Sequence, residues 1–260
     1  MRRFTIETRG DDYSRRLQEE ISDRLCGLDF VCDPDSPELV ITIGGDGTFL
    51  RAIHRQFSRL NEVAFVGIHT GTLGFFTDYS KDDLEEFYRD VSTKEAQIQK
   101  VPLMKITTYN GTKLNDYFAV NEMRVENVKQ TQLIDVRIDN EFFETFRGTG
   151  MCVSSQAGST AYNRSAGGAI LHEGLDFLQL TEITGIHHQA YRSLGSPLII
   201  KKDGVIRLES HDFEKAILCY DHLYTEMIGV KAIECRACTK SIRFAHYKKI
   251  PYLQRLKSLF

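Results

Sequence analysis

An aspartate set among glycines is the most telling local feature of this chain. The apolar run Leu39-Val40-Ile41-Thr42-Ile43 leads into Gly44-Gly45-Asp46-Gly47-Thr48, followed by Phe49-Leu50. Glycines after a buried strand let backbone N–H groups approach an anion closely, and a helix starting there adds the favourable end of its dipole. The segment has neither the GK[ST] ending of a Walker loop nor GxGxxG spacing. A carboxylate beside phosphates is repelled by them, so Asp46 needs a purpose. It can hold Mg²⁺, or it can accept the proton of a hydroxyl that attacks a terminal phosphate, as kinase aspartates do. An aspartate carboxylate is ordinarily ionised at neutral pH and ready for that second task. The plain alternative is a tight structural turn with Asp46 capping the next helix.

Two further segments carry chemistry. Asn121-Glu122 follows an apolar run and sets an amide beside a carboxylate, which suits a ribose or an adenine edge. The same pair is also ordinary turn material. From Arg147 to Gly168 the chain reads as two glycine-rich turns around a short strand, then a helix start rich in hydroxyls. Gly158 frees the turn, and Ser159 or Thr160 can cap the helix. Tyr162 adds an aromatic face, and Arg147 and Arg164 are cations able to face a pyrophosphate. A surface loop with ordinary capping is the competing reading.

These residues need elements to position them. Phe4 to Thr8 reads as a short strand. Tyr13, Leu17, Ile21 and Leu25 recur every fourth residue, predicting a helix over Asp11 to Leu25 with one core-facing stripe. Leu39–Ile43 and Val63–Ile68 read as strands buried on both faces. Helices are expected near Phe49 to Leu60 and Lys81 to Val91. That alternation predicts a small doubly wound α/β domain over residues 1–98. The pattern then changes. Asn110-Gly111, Asp139-Asn140 and Lys202-Asp203-Gly204 are hairpin signals, so residues 99–235 should form a β-rich domain. One helical insertion is expected from Ser159 through Leu171, continued around Asp176 to Thr184.

Composition narrows the class. The 260 residues are 42% hydrophobic, enough for a sizeable core. A formal net charge of -3 lacks the basic footprint of a nucleic-acid binder. The basic C-terminal run Lys248, Lys249, Arg255 and Lys257 reads as a solvated end. No secretory signal and no membrane-spanning run is visible, so a soluble cytoplasmic protein is expected. The six cysteines read as reduced thiols. Cys235 and Cys238 have CxxC spacing but no second pair to complete a zinc site, and adjacent His187 and His188 diverge too much to share a metal.

Taken together, these segments resemble the NAD kinase family, especially the compact enzymes of Gram-positive bacteria. The resemblance rests on Gly44–Leu50, on Gly67-Ile-His-Thr-Gly71 with Leu73-Gly74-Phe75, on Asn121-Glu122 and on Gly158-Ser-Thr-Ala-Tyr162. It extends to Gln179–Glu182, Tyr191–Pro197 and Asp221-His222. It implies phosphorylation of the 2′-hydroxyl of the NAD adenosine ribose to give NADP, with ATP and a divalent metal, Mg²⁺. Asp46 would be the catalytic base, and Gly44, Gly45, Gly47 and Thr48 the ATP phosphate loop. Asn121 and Glu122 would hold adenosine groups. Thr160, Ala161, Tyr162 and Ser165 would line the dinucleotide site, joined by Asp46, Gly47, Phe75, Thr149, Ala157 and Asn163. Arg147, Thr184 and His222 correspond to further binding positions, some of which a neighbouring subunit supplies in this family. The resemblance also implies an α/β N-terminal domain, a β-rich C-terminal domain, a last segment (236–260) returning to the first domain, and homodimers or homotetramers.

Two departures stand out. Thr149 occupies a position where many members carry an aspartate, so a contact on the nicotinamide ribose side is expected to weaken. Ser154-Ser155-Gln156-Ala157-Gly158 replaces the usual STPTG, and losing its proline frees the loop. GGDG is also shared with lipid kinases and phosphofructokinases, so a lipid or sugar phosphate is an alternative acceptor. A non-catalytic dinucleotide sensor is the other alternative, though it would have no use for Asp46.

Overall fold

The computed structural model describes residues 2–186 and 192–260. His187, His188 and Tyr191 lie outside the described residues. The chain divides into two compact units, Met1–Val101 with Lys240–Phe260, and Pro102–Thr239.

The first unit is a parallel sheet with helices. Strands β1 (Arg3–Thr8), β2 (Val31–Cys32), β3 (Leu39–Ile43), β4 (Ala64–His69) and β5 (Tyr79–Ser80) all pair in parallel, with β1 between β2 and β3, and β4 between β3 and β5. All five residues of β3 are buried, as an unbroken apolar run requires. Helix α1 (Asp12–Cys26) begins at Asp11, whose carboxylate accepts the Ser14 N–H at 2.9 Å. Leu17, Ile21 and Leu25 face the core, but Tyr13 is 46% exposed. The inward position of that first turn belongs to Ser14, whose hydroxyl also donates to Asp11. Helix α2 (Asp46–Arg55) starts earlier than expected, at the aspartate itself, and ends in a 3₁₀ turn at Phe57–Arg59. Helix α3 spans Leu84–Thr93.

The expected solvated C-terminal end holds for Lys249 and Lys257, which are exposed, and fails for Arg255. Arg255, on the helix Tyr252–Lys257, is buried. Its partner is the equally buried Asp78, and an ion pair makes such burial tolerable. Lys248 is also engaged, 2.7 Å from Glu86.

The second unit is antiparallel. Its strands are β6 (Gln97–Asn110, from Pro102 onward), β7 (Thr112–Ala119), β8 (Glu122–Glu126), β9 (Gln132–Ile138), β10 (Glu141–Ser154), β11 (Leu178–Gly185), β12 (Leu198–Ile200), β13 (Ile206–Glu209), β14 (Ile217–Tyr220), β15 (Leu223–Glu226) and the first part of β16 (Ala232–His246). The 14-residue β10 organises the unit, pairing with β9 along its first half and with β8 and β11 along its second. Strand β8 pairs in turn with β14. Asp139 and Asn140 both have positive φ, 52° and 70°, as a tight hairpin between β9 and β10 demands. Cys235 is buried within β16.

Three expectations fail here. The Lys202-Asp203-Gly204 turn does not close a hairpin, because β12 pairs with β11 while β13 pairs with β9 and β16. The helical insertion shrinks to a 3₁₀ turn, Ala157–Thr160, and one helical turn, Tyr162–Ser165. Gly167 has φ of 87°, and with Gly168 it stops the helix. Residues 178–185 form β11 instead, because alternate residues there complete the ladder along β10. The Arg147–Gly150 segment is not a turn either. It lies inside β10, and a Cβ on Gly150 would overlap the Val125 carbonyl of the neighbouring strand.

Candidate active site

In the first unit the site is built on the β3–α2 junction. Gly44 has φ of 148°, and a Cβ there would collide with the Thr48 side chain. Gly45 and Gly47 are exposed, and a Cβ on either would meet nothing within 4 Å. Both therefore present bare backbone beside the first turn of α2, where the early N–H groups have no partner within the helix. Thr48 is buried, and its Oγ1 accepts from Arg51 at 3.2 Å.

Asp46 is the first residue of α2, so its negative charge sits at the positive end of the helix dipole. Its carboxylate is held from the loop after β4. The Phe75 N–H donates to Oδ2 at 3.0 Å and the Phe76 N–H to Oδ1 at 3.1 Å. Each oxygen keeps a further lone pair. The backbone of Gly74 packs flat against this carboxylate, where a Cβ would overlap it. Loop and aspartate are thus fitted to each other.

In the second unit, three chain segments converge. A Cβ on Gly158 would overlap the backbone of Asn121, so the 3₁₀ turn lies directly on the β7–β8 junction. The Ser155 N–H donates to the Asn121 carbonyl at 2.8 Å. Asp221, with φ of 51°, caps the same junction: its carboxylate accepts the N–H groups of Val120 and Asn121, each at 2.8 Å. Glu122 is buried, with the Tyr162 backbone N–H close to its carboxylate. Burial, with Asp221 nearby, pushes its carboxyl up to about 7. Asn121 Oδ1 and Glu122 Oε2 are buried acceptors without a protein partner. Such atoms ask for a ligand that donates hydrogen bonds. The Arg124 guanidinium stacks 3.9 Å from the centre of the Tyr162 ring and pairs with Glu126 at 2.7 Å.

Both halves of this chemistry match one family. Residues 16–96 match the ATP-NAD kinase N-terminal domain, and residues 120–247 match the ATP-NAD kinase C-terminal domain. The chain belongs to the NAD kinase family. It is 38% identical over 259 residues to the NAD kinase of Geobacillus stearothermophilus, covering 99% of this chain and 96% of that one. It is 36% identical over 260 residues to NAD kinase 1 of Bacillus anthracis, covering 99% and 98%. Among solved structures, yeast NADH kinase complexed with NADH superposes with a TM-score of 0.81 at 19% identity, covering 100% of this chain and 87% of that one. The Archaeoglobus fulgidus NAD kinase in complex with ATP superposes at 0.78 and 22%, covering 98% and 99%. At these identities the structures establish the shared fold, an α/β domain followed by a β-rich one. As a family member the chain is a phosphotransferase.

The remaining site positions expected for a NAD kinase family member divide by environment. Thr160 is buried, Ala157, Ala161 and Tyr162 are half-buried, and Ser165 is exposed. Asn163 turns inward: it is fully buried, Oδ1 accepts from Thr181 at 2.8 Å, and Nδ2 donates to the Ala169 carbonyl at 3.4 Å. Its side chain pins the turn to β11. Thr149 is half-buried in β10, and its carbonyl accepts from Gln132 Nε2 at 2.8 Å. Arg147 lies on the same strand, Thr184 has φ of 50° near the end of β11, and His222 is exposed in the β14–β15 turn. Three contributors were missed from sequence: Gly74 as the seat of Asp46, Arg124 behind Tyr162, and Asp221 as a cap. Two of them had a signal: Gly74 stands in Leu73-Gly74-Phe75 and Asp221 beside His222, both in motifs already noticed.

Proposed function

We propose that this chain transfers the γ-phosphoryl group of ATP to the 2′-hydroxyl of the adenosine ribose of NAD, yielding NADP and ADP, with Asp46 as proton acceptor. One observation carries the reading. A carboxylate held by two backbone amides stands at the first turn of a helix, between two glycines with open space where side chains would be. In this reading the bare backbone of Gly45 and Gly47 receives phosphate oxygens, while Gly44 and Thr48 fix the shape of the loop. Asp46 takes the proton as the ribose oxygen bonds to phosphorus and the bond to the leaving ADP oxygen breaks. The proton then passes to solvent. Most of the catalysis is positioning and charge stabilisation.

Asn121 and Glu122 would use their unpartnered acceptors on adenosine donors. Tyr162, backed by Arg124, would offer its ring to the dinucleotide, with Phe75, Thr149, Ala157, Thr160, Ala161, Asn163 and Ser165 shaping the surroundings. Arg147, Thr184 and His222 would complete the site, some of them in a second copy of the chain. A homodimer or homotetramer fits this, and exposed Ile217, Tyr224 and Ile228 in the second unit support it. Among the described residues no group of three or more His, Cys, Asp or Glu side chains could cage a metal. Mg²⁺ would arrive as part of the MgATP substrate, held by phosphates and water. Among the described residues no helix is long and apolar enough to cross a membrane. The proposed setting is the cytoplasm.

The test is an assay of NADP formation from NAD with ATP and Mg²⁺, run beside Asp46→Asn. Turnover by the parent should fall by about 100-fold or more in the variant, as loss of a general base predicts, while NAD binding persists. No NADP from the parent chain with any nucleotide or metal would overturn the activity. Full turnover by Asp46→Asn would remove Asp46 from its role.

A further inference from the structure

We infer that Arg255, on the C-terminal helix, is a positioning residue for Asp46, acting through the turn Gly74–Asp78. The inference rests on the reading of Asp46 as the base. The two amides that hold Asp46 belong to Phe75 and Phe76. The residues on either side of that pair are Gly74 and Thr77, and one guanidinium bonds both of their carbonyls: Arg255 Nη1 donates to Gly74 at 3.2 Å and to Thr77. Its other nitrogen, Nη2, donates to Asp78 Oδ1. The turn is closed internally by the Gly74 N–H donating to Thr77 Oγ1 at 3.2 Å.

Asp78 is itself tied down. Its N–H donates to the Gly67 carbonyl in β4 at 3.0 Å, and its Oδ2 lies 2.7 Å from His246 Nδ1. His246 Nε2 lies 2.9 Å from Gln99 Oε1. Arg255 and Asp78 are both buried, with 7% and 4% of their surfaces exposed. A buried pair of this type is poor evidence of added stability, because hydrophobic replacements often do as well. A planar fork that fixes two carbonyls and a carboxylate at once does something a hydrophobic group cannot: it sets the orientation of the turn. Tyr252, one turn earlier on the same helix, lies with its ring 6.1 Å from that of Phe75, edge to face. The far C-terminus is thereby part of what aims a carboxylate more than two hundred residues earlier in the chain.

Arg255→Lys and Arg255→Ala, each in the full chain, test this. Lysine keeps the charge beside Asp78 but cannot span both carbonyls, so that variant should fold. Its kcat should fall about 10- to 100-fold, since displacing a reacting group by ~1 Å costs up to ~100-fold. KM for NAD and for ATP should change less than about threefold. In the ligand-free protein, hydrogen exchange should quicken at the Phe75 and Phe76 amides and stay unchanged in β3. Arg255→Ala should lose more in kcat, with partial recovery in millimolar guanidinium; if it does not fold, Arg255→Lys decides. Unchanged kcat, or unchanged exchange at residues 75 and 76, in a folded Arg255→Lys protein would overturn the inference. Asp46→Asn measured alongside separates the two readings. Full activity in that variant sinks the role of Asp46 and the Arg255 inference that depends on it. An inactive Asp46→Asn with a fully active Arg255→Lys sinks the Arg255 inference alone.

Discussion

The carboxylate of Asp46 fills the space where a side chain on residue 74 would begin. Gly74 is thus the seat of Asp46, and Gly74→Ala forces one of them to move. The nearest neighbour is a short side chain held by two hydrogen bonds, so the shift cannot be absorbed cheaply. We expect kcat to fall by about 100-fold with NAD affinity retained, as for other small misplacements of a reacting group. Steady-state kinetics paired with calorimetric NAD binding checks this, and an unchanged kcat would refute it.

Glu122 predicts a pH dependence of stability. Burial and then Asp221 raise its carboxyl to about 7 in the folded chain, against about 4.5 for a solvated glutamate. The folded state therefore holds a proton that the unfolded chain has lost between those values. Stability should fall as pH rises from about 5 to 7 and level off above, by roughly 3 kcal/mol from this group. Glu122→Gln should flatten that slope and raise Tm at pH 8. Thermal melts of both proteins from pH 5 to 8 decide it; parallel curves would contradict the assignment.

Arg124 stacks on Tyr162 at 3.9 Å. Replacing it with leucine keeps bulk but removes the cation from the ring face and from Glu126. A partly buried cation–π contact is worth about 1 kcal/mol. KM for NAD should rise about 3- to 10-fold with kcat nearly constant. A drop in kcat at unchanged KM would show that Arg124 serves the reaction in another way.

Asp221 satisfies two amides of the β7–β8 junction. Asp221→Ala strands both, and each unsatisfied buried donor costs about 1–3 kcal/mol. We expect a loss of roughly 2–5 kcal/mol in denaturant unfolding, with Asp221→Asn much milder because it keeps an acceptor and tolerates positive φ. Equal behaviour of the two variants would argue against the capping role.

Local features were legible in the sequence wherever neighbouring residues decide the structure. The unbroken apolar run 39–43 had to be a strand buried on both faces, and Asp139-Asn140 had to be a tight hairpin. The helix expected over 159–171 ends after one turn, because its hydroxyl-rich start runs into Gly167-Gly168. Gly148 and Gly150 were misread as turn residues for a related reason. Their glycine identity answers to backbone carbonyls of neighbouring strands, and nothing adjacent in the chain records those.

By itself, the sequence determined the glycine loop after β3, the strands and tight turns that neighbouring residues decide, and the family to which the chain belongs. These rest on short-range rules: glycine freedom, apolar periodicity, turn chemistry and ordered motifs. Only the tertiary structure decided what surrounds the chemistry. It brought Asp221 under Asn121, buried Glu122 until its carboxyl titrates near neutrality, and carried Arg255 from an expected solvated end to the turn that grips Asp46. Burial and hydrogen-bond partners are properties of residues far apart in the chain, and only folding brings them together.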